Sequence, residues 1–443
     1  MISFHSPTLI FTVVGTFLIT AVAVRVSRGV WPRILLVGLI GGLFVYNGIG
    51  AAYPEVPSYY LFYYFGFLLA FVFSFCSFNI MFGKVSQYFG RTLSQSLAKI
   101  DQKLGWNALI WFYLFLHIIP LLYPAFRIDR LISPPSADLT AVFSERFDGH
   151  KANTLLKLID YIRMLLTPFI YIALYKFRHR IKYVVLILFT ILYLKLADTG
   201  YLARSALGMV LLVIVIALWA YRPRYRKGLV VMGILFLPVI LVSSYVYSII
   251  RLGRTVDEIN FGNSISSIIY QETNFPLSVG VPIIEGGKKI DYSSYLKWML
   301  TIPIPKILTG EIEGARINYE ISEVILHKVR GEPGYSIVLP GLVGESIYIY
   351  GRQLFWLHGI SIGFLVAAIM GLIKRTPQFL FLQAYIVALF SYYLNRAGIS
   401  SVLPEIINCF MLFYLYVLII IFQFSQYRKE NEKIPGSRRI ILE

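Results

Sequence analysis

Four arginines lie where apolar runs of the sequence end, and their side chains could bind an anionic substrate. Arg204 and Arg396 lie in short turns between apolar runs, while Arg251 and Arg254 follow the end of another run. A guanidinium group is planar, stays protonated and can donate two parallel hydrogen bonds to phosphate oxygens. Arginines that converge at one membrane depth would therefore suit a pyrophosphate group. A single arginine at a helix end can instead extend towards lipid headgroups, and this alternative is favoured for Arg254.

Three further residues could transfer a proton or bind substrate, and each has a structural alternative. Glu345 lies beside an apolar segment and could act as a general base, or it could stabilise a helix N-terminus as a carboxylate. His150 titrates in the range that a base requires, although it could equally be a surface histidine. Arg163 shares a helical face with Lys157 and Asp160, a spacing that also predicts an ion-pair ladder.

The sequence lacks the motifs of common soluble enzymes. It contains no Walker loop, no dinucleotide-binding glycine fingerprint, no Gly-x-Ser-x-Gly and no His-Glu-x-x-His. The histidines are scattered, and Cys76 and Cys409 lie inside apolar runs. We therefore predict no metal site, no cofactor and no disulfide framework.

Membrane spans must position these candidates. Of the 443 residues, 57% are apolar and only 14% are charged, whereas about a quarter of a soluble domain is charged. Because one bilayer crossing takes roughly twenty residues, the apolar runs predict an all-α polytopic integral membrane protein with about eleven transmembrane helices. The predicted spans cover residues 8–24, 34–50, 59–82, 106–125, 155–175, 181–197, 205–221, 228–250, 354–373, 379–394 and 404–424.

The spans divide the chain into four parts. Residues 1–250 form an N-terminal bundle of eight spans with an outer loop at 126–154; residues 251–353 form a large loop, 354–427 the last spans and 428–443 a basic tail. Loops this long are usually functional. Within the large loop, residues 311–330 have the spacing of an amphipathic helix on the outer surface, and residues 340–351 predict a short helix at the membrane edge. Two GxxxG patterns, at 38–42 and 359–363, predict close helix contacts.

The net charge of +18 can be assigned to one side of the membrane. The loops and tail on that side hold 22 of the 41 basic residues but only 4 of the 23 acidic ones, which leaves 19 of each sign elsewhere. The positive-inside rule makes the basic side cytoplasmic, with a periplasmic N-terminus and a cytoplasmic C-terminus. Anionic lipids account for these short basic turns, so membrane lipids are expected partners and nucleic acid is not.

Five short segments occur in a recognisable order along the chain. They are Thr199-Gly200-Tyr201-Leu202-Ala203-Arg204, Arg251-Leu252-Gly253-Arg254, Ile302-Pro303-Ile304-Pro305-Lys306, Gly344-Glu345-Ser346-Ile347-Tyr348-Ile349-Tyr350-Gly351 and Asn395-Arg396-Ala397-Gly398. Their order and the span layout resemble the Wzy-type polymerases of oligosaccharide repeat units, which build O-antigen, capsule or enterobacterial common antigen. Two departures are an insertion of two residues before Arg204 and a lysine, Lys306, where the family often has arginine.

The resemblance implies the helical fold class of lipid-linked sugar transferases, in a bacterial inner membrane. It also implies a donor glycan on undecaprenyl pyrophosphate and a lipid-linked repeat unit as acceptor. A sugar hydroxyl would attack the anomeric carbon, with inversion and without a metal. Arg204, Arg251 and Arg396 are expected to contact pyrophosphate, and Glu345 to activate the hydroxyl. The expected substrate-binding residues are Arg254, Lys306, His150, Arg163 and Tyr348. Candidate protein partners are a chain-length regulator and a flippase.

Three alternatives remain open. The related O-antigen ligases share the architecture but transfer finished polymer to another acceptor. A flippase would line a central cavity with cations, whereas the apolar runs here contain few charges and the polar residues lie in the outer loops. A non-catalytic membrane organiser could use the large loop as a docking surface.

Overall fold

The computed structural model describes residues 5–122, 128–132, 154–199, 204–233, 269–270, 272–287, 289–302, 317–329 and 338–432, with single positions at 126, 235, 304 and 332. All regular secondary structure in these ranges is helical: 88% of the described residues are in helices and none is in a strand. The prediction of an all-α protein is confirmed for the described part of the chain.

Thirteen helices within these ranges carry the fold. They are α1 (Ser6–Val26), α2 (Val30–Leu43), α3 (Tyr60–Leu104), α4 (Trp106–Leu122), α5 (Thr154–Ala173), α6 (Ile181–Thr199), α7 (Arg204–Tyr221), α8 (Tyr292–Thr301), α9 (Ile317–Leu326), α10 (Gly341–Leu354), α11 (Trp356–Ile373), α12 (Leu380–Ala388) and α13 (Ile399–Glu432). Short π-helical segments at Phe44–Gly48 and Leu389–Leu394 extend α2 and α12, and the latter leads into the short helix Asn395–Ala397. Two further short segments, Pro276–Gly280 and Val281–Gly286, follow each other directly.

Seven helical stretches of the described residues are long and apolar enough to cross a membrane. They are Ser6–Val26, Val30–Ala52, Tyr60–Gly83, Thr154–Phe177, Trp356–Ile373, Pro377–Ala397 and Ile399–Ile420. The pair Ser205–Tyr221 and Pro223–Gly233 would make an eighth span but bends by 117°. The chain is therefore a multi-pass membrane protein.

Four of the eleven predicted spans are absent from these seven stretches. The predicted span 106–125 corresponds to α4, which has only 17 residues. In α6, three charged residues, Lys182, Lys195 and Asp198, interrupt the apolar character of a 19-residue helix. The predicted span 205–221 belongs to the bent pair, and most of 228–250 lies outside the described residues.

Both glycine patterns mark close contacts between helices. A Cβ atom added to Gly359 would lie 2.8 Å from the carbonyl oxygen of Phe67, and one added to Gly363 would lie 2.7 Å from that of Phe71. These glycines therefore let α11 pack directly on the backbone of α3. In α2, Gly42 leaves room for the side chain of Asn395. The pattern at 38–42 therefore helps to position the segment that contains Arg396. The predicted packing role of both patterns is confirmed.

Helix α3 extends well beyond its predicted span of 59–82. It has 45 residues, which at 1.5 Å per residue gives about 67 Å, more than twice the roughly 30 Å of a bilayer core. Its extension contacts the turn between α11 and α12, where the Ser94 hydroxyl donates a 3.0 Å hydrogen bond to the Gln378 amide. The loop after α5 meets the end of α7 through His179 and Tyr221. Basic segments from distant parts of the sequence thus lie together.

The helix predicted on the outer surface is instead packed against the protein. Helix α9 buries Ile317 and Ile321 and contacts both Val281–Gly286 and α13. The helix predicted at the membrane edge, α10, is buried throughout its first nine residues. Gly351, at φ 76°, allows the sharp turn from α10 towards α11. Parts of the large loop are therefore core elements of the protein.

Candidate functional site

The carboxylate of Glu345 closes the turn at the beginning of α13. One of its oxygens accepts a 2.5 Å hydrogen bond from the amide of Ile399, and the other accepts a 2.9 Å bond from the amide of Ser400. The first amides of a helix have no intrahelical acceptor, and the positive end of the helix dipole attracts a carboxylate. Glu345 therefore stabilises a helix N-terminus, and the helix is α13 instead of its own helix α10.

This cap is fully enclosed. Glu345 is 0% exposed, and His358, which is 2% exposed, places its Nε2 atom 3.3 Å from the same carboxylate. The preceding residue of the turn, Gly398, has φ 74° and ψ 178°, a conformation that glycine alone adopts readily. A Cβ atom at Gly398 would also lie 2.7 Å from the carboxyl carbon of Glu345. The conformation of Gly398 and the buried Glu345 carboxylate thus fix the turn that immediately follows Arg396.

Arg396 lies in the short helix Asn395–Ala397 directly before this turn, with its guanidinium half-buried. Its Nη2 atom lies 3.3 Å from Glu272, and its Nη1 atom donates a 3.1 Å hydrogen bond to the hydroxyl of Tyr392. The side chains of Arg396 and Glu272 are each 27% exposed. Within the described residues, the Nε atom of Arg396 has no hydrogen-bond partner. That atom is itself buried. We call Arg396, Glu272 and Tyr392 the Arg396 site; it offers a partly exposed cation with one acidic partner.

Neighbouring helices hold the Arg396 site in place. Asn395 donates hydrogen bonds of 3.0 Å to the carbonyl of Leu39 in α2 and 2.8 Å to that of Ser391. On the other side of the turn, Asn318 of α9 accepts a 2.7 Å hydrogen bond from the Ser400 hydroxyl. Together with the Glu345 cap, these contacts anchor the turn to α2, α9 and α10.

Tyr348, predicted to bind substrate, is instead buried between α10 and α9. It is 4% exposed, and its hydroxyl donates a 3.1 Å hydrogen bond to the carboxylate of Glu320. Burial and the neighbouring Glu320 carboxylate both raise the pKa of Tyr348. Burial also raises the pKa of Glu320, although the hydrogen bond from Tyr348 opposes this. The hydrogen bond between Tyr348 and Glu320 thus connects α10 and α9, two helices of the large loop.

Arg163 forms the ion pair that its spacing allowed. It pairs with Asp160 three residues earlier in α5, and its side chain is 13% exposed against 65% for Asp160. Asp198, at the end of α6, also interacts electrostatically with Arg163. The ion-pair interpretation is confirmed for these two residues.

The other predicted site residues are not part of the described geometry. His150, Arg251, Arg254 and Lys306 lie outside the described residues. Arg204 is the first residue of α7, but its side chain is outside the description. The convergence of Arg204, Arg251 and Arg396 therefore stays a prediction.

The structure adds residues that sequence reasoning missed. Glu272 lies 124 positions before its partner Arg396, so no local spacing could connect them. Glu405 lies within the span Ile399–Ile420, where it accepts a hydrogen bond from Tyr385 and interacts electrostatically with Lys195. An acidic residue in a span is costly and often functional, which makes Glu405 the one missed residue that the sequence itself could have indicated.

Neither metal ligands nor relatives add to this picture. No group of three or more histidine, cysteine, aspartate or glutamate residues in the described ranges could hold a metal ion. The chain matches no family model, no curated protein and no solved structure. The motifs of the chain and the geometry around Arg396 are therefore the features that indicate a function.

Proposed function

We propose that the protein is a polymerase that joins undecaprenyl-pyrophosphate-linked oligosaccharide repeat units at the periplasmic face of a bacterial inner membrane. The observation that carries this proposal is the Arg396 site: a partly exposed guanidinium at the end of a membrane span, fixed by a buried cap and paired with one acidic residue. The proposal includes eleven spans, a periplasmic N-terminus and the fold class of lipid-linked sugar transferases.

The chemistry requires charge neutralisation more than proton donation. The acceptor hydroxyl oxygen forms a bond to the anomeric carbon while the bond from that carbon to the phosphate oxygen breaks, and the hydroxyl proton is released. The leaving undecaprenyl pyrophosphate takes the bonding electrons as negative charge. A fixed guanidinium stabilises such charge in the transition state without having to reorganise. Arg396 supplies this group, and Arg204 and Arg251 are proposed to join it.

Glu272 explains how Arg396 can be fixed and still bind an anion. Both side chains keep 27% of their surface exposed. A pyrophosphate oxygen can therefore reach the guanidinium and compete with Glu272 for it. Tyr392 remains bound to the other terminal nitrogen and keeps the guanidinium plane oriented.

Glu345 is assigned a positioning role in this proposal, in place of hydroxyl activation. Both of its oxygens already accept backbone hydrogen bonds, and the side chain has no exposed surface. A general base must come within hydrogen-bond reach of the proton that it removes. Glu345 instead holds the turn that presents Arg396, and we assign no general base.

The direct test is elongation by purified protein in vesicles. The full-length chain is supplied with a lipid-linked repeat unit, without ATP or divalent metal, and the lipid-linked products are separated by length. A polymerase makes a ladder of longer glycans. Arg222→Ala, on the basic side of the membrane, is the matched control and should make the same ladder.

Two other results would contradict the proposal. Transfer of a preformed polymer to added lipid A core, with no ladder from repeat units, would identify a ligase. Movement of unchanged repeat units across the vesicle membrane, again with no ladder, would identify a flippase.

A further inference from the structure

A cavity lies among the basic helix ends, at the opposite end of the fold from the Arg396 site. Its volume is about 200 Å³, whereas roughly 10–15 Å³ is enough for one water molecule. It lies between the extension of α3, the start of α4, the end of α5 with the segment that follows it, and the turn before α12. The lining residues are Leu97, Trp106, Ile172, Tyr175, Lys176, Arg178 and Gln378. We call it the basic-end pocket.

The charge of the basic-end pocket is positive. Lys176 and Arg178 line it, and none of the lining residues is acidic. Within the described part of the chain, no carboxylate forms an ion pair with either side chain. Two cations that line one concave site, with no acidic residue in its lining, are suited to an anion such as a phosphate group.

Arg178 is held in a defined position. Its guanidinium lies 4.3 Å from the centre of the Tyr175 ring and donates a 3.3 Å hydrogen bond to the Tyr175 carbonyl. The amide of Gln378 is held by Ser94 through hydrogen bonds of 3.0 Å and 2.9 Å. These contacts form a wall that does not depend on a ligand, which lowers the cost of ordering the site on binding.

We propose that the basic-end pocket binds the phosphate headgroup of an anionic membrane phospholipid. The candidate span Thr154–Phe177 ends one residue before Arg178, so the pocket lies at the membrane border. Leu97 and Ile172, each 2% exposed, close the inner side of the pocket with apolar side chains, and the lining residue Trp106 is of a type common at this interface. Basic pockets between spans on the cytoplasmic side bind anionic headgroups in other membrane proteins.

The test measures lipid binding to the purified full-length chain in detergent by native mass spectrometry. Phosphatidylglycerol is titrated against phosphatidylcholine, with inorganic phosphate as a separate competitor. We expect preferential binding of phosphatidylglycerol. The variant Lys176→Gln/Arg178→Gln should weaken it about thirtyfold, because each basic group near a membrane surface contributes about fivefold.

Matched variants separate this site from general surface charge. Arg222→Gln/Arg224→Gln removes two cations that also stack on tyrosine rings but do not line the pocket, and it should change binding less than twofold. The swap Lys176→Arg/Arg178→Lys preserves charge and should retain most binding. Lys176→Gln alone removes an exposed side chain, should leave folding intact and should weaken binding about fivefold.

Three results would overturn the proposal. The first is equal binding of the two lipids. The second is unchanged phosphatidylglycerol binding in folded Lys176→Gln/Arg178→Gln or Lys176→Gln protein. The third is displacement of the lipid by millimolar inorganic phosphate, which would indicate a site for a soluble phosphate compound.

Discussion

Removing the Glu345 carboxylate should destabilise the whole protein, because it leaves two buried amides without an acceptor. The amides of Ile399 and Ser400 bind it at 2.5 Å and 2.9 Å. A buried donor left without a partner costs roughly 1–3 kcal/mol. Glu345→Ala should therefore lower the free energy of unfolding by about 2–6 kcal/mol, and Glu345→Gln, which retains one acceptor oxygen, by about 1–3 kcal/mol.

The two cysteines provide the assay. Cys76 in α3 and Cys409 in α13 are both free and only 9% and 8% exposed. A thiol-reactive fluorophore added during a temperature ramp in detergent therefore reports unfolding, and Cys409 lies in the capped helix itself. Glu285→Ala removes an exposed glutamate and is the control, with an expected change below about 0.5 kcal/mol.

Gly398 supplies an internal check on the same reasoning. Gly398→Ala should cost roughly 1–3 kcal/mol from its backbone conformation alone, with a further cost from the clash with Glu345. In the double variant Glu345→Ala/Gly398→Ala the clash disappears. The loss of stability in the double variant should therefore be smaller than the sum of the losses in the two single variants. Wild-type thermal stability of Glu345→Ala would refute the cap, and strict additivity would refute the clash.

Three further perturbations address other parts of the structure. Tyr348→Phe should lower the free energy of unfolding by about 1–2 kcal/mol, since it removes the hydrogen bond to Glu320; an unchanged melting curve would argue against that tie. Burial lowers the pKa of Lys374 to about 8, below its value in the unfolded chain. Above about pH 8 the unfolded state binds more protons, so wild type should gain stability relative to Lys374→Met up to about pH 10. If the circular-dichroism melting temperatures of wild type and Lys374→Met differ by the same amount at every pH in that range, the lowered pKa of Lys374 is contradicted. Glu272→Gln frees Arg396 and should tighten product inhibition by undecaprenyl pyrophosphate about twofold to fivefold; weaker inhibition would oppose the proposed competition.

Hydropathy predicted the membrane helices well and their surroundings poorly. Seven of the predicted spans correspond to long apolar helices, because a bilayer crossing needs only local composition and length. The continuation of α3 through the segment predicted as a basic loop was missed, since polar helices lack an apolar signal. The burial of α10 was missed for a different reason. Its neighbours, including Pro276–Gly280 and Asn395–Ala397, come from distant parts of the chain, and single-sequence patterns do not encode such contacts.

In the candidate site, too, local sequence patterns predicted some contacts, and contacts between distant parts of the chain were missed. Local spacing correctly paired Arg163 with Asp160, and the alternative of a helix-stabilising carboxylate for Glu345 was correct in kind. The identity of the capped helix could not be predicted, because residues 345 and 399 meet only through tertiary packing. Glu272 was unpredictable for the same reason. The prediction for Arg396 relied on its place between two apolar runs. The structure shows its half-buried position beside Glu272, and its contact with pyrophosphate stays a prediction.

The most direct measurement compares elongation by wild type, Arg396→Lys and Arg396→Ala in vesicles that contain the lipid-linked repeat unit. Loss of a preorganised group that stabilises transition-state charge typically costs about 10²–10³ in rate. Arg396→Ala should therefore lose the ladder of products while its thiol-detected melting stays close to that of wild type, and Arg396→Lys should retain part of the rate. A folded Arg396→Ala protein that elongates glycans at the wild-type rate would contradict the central claim.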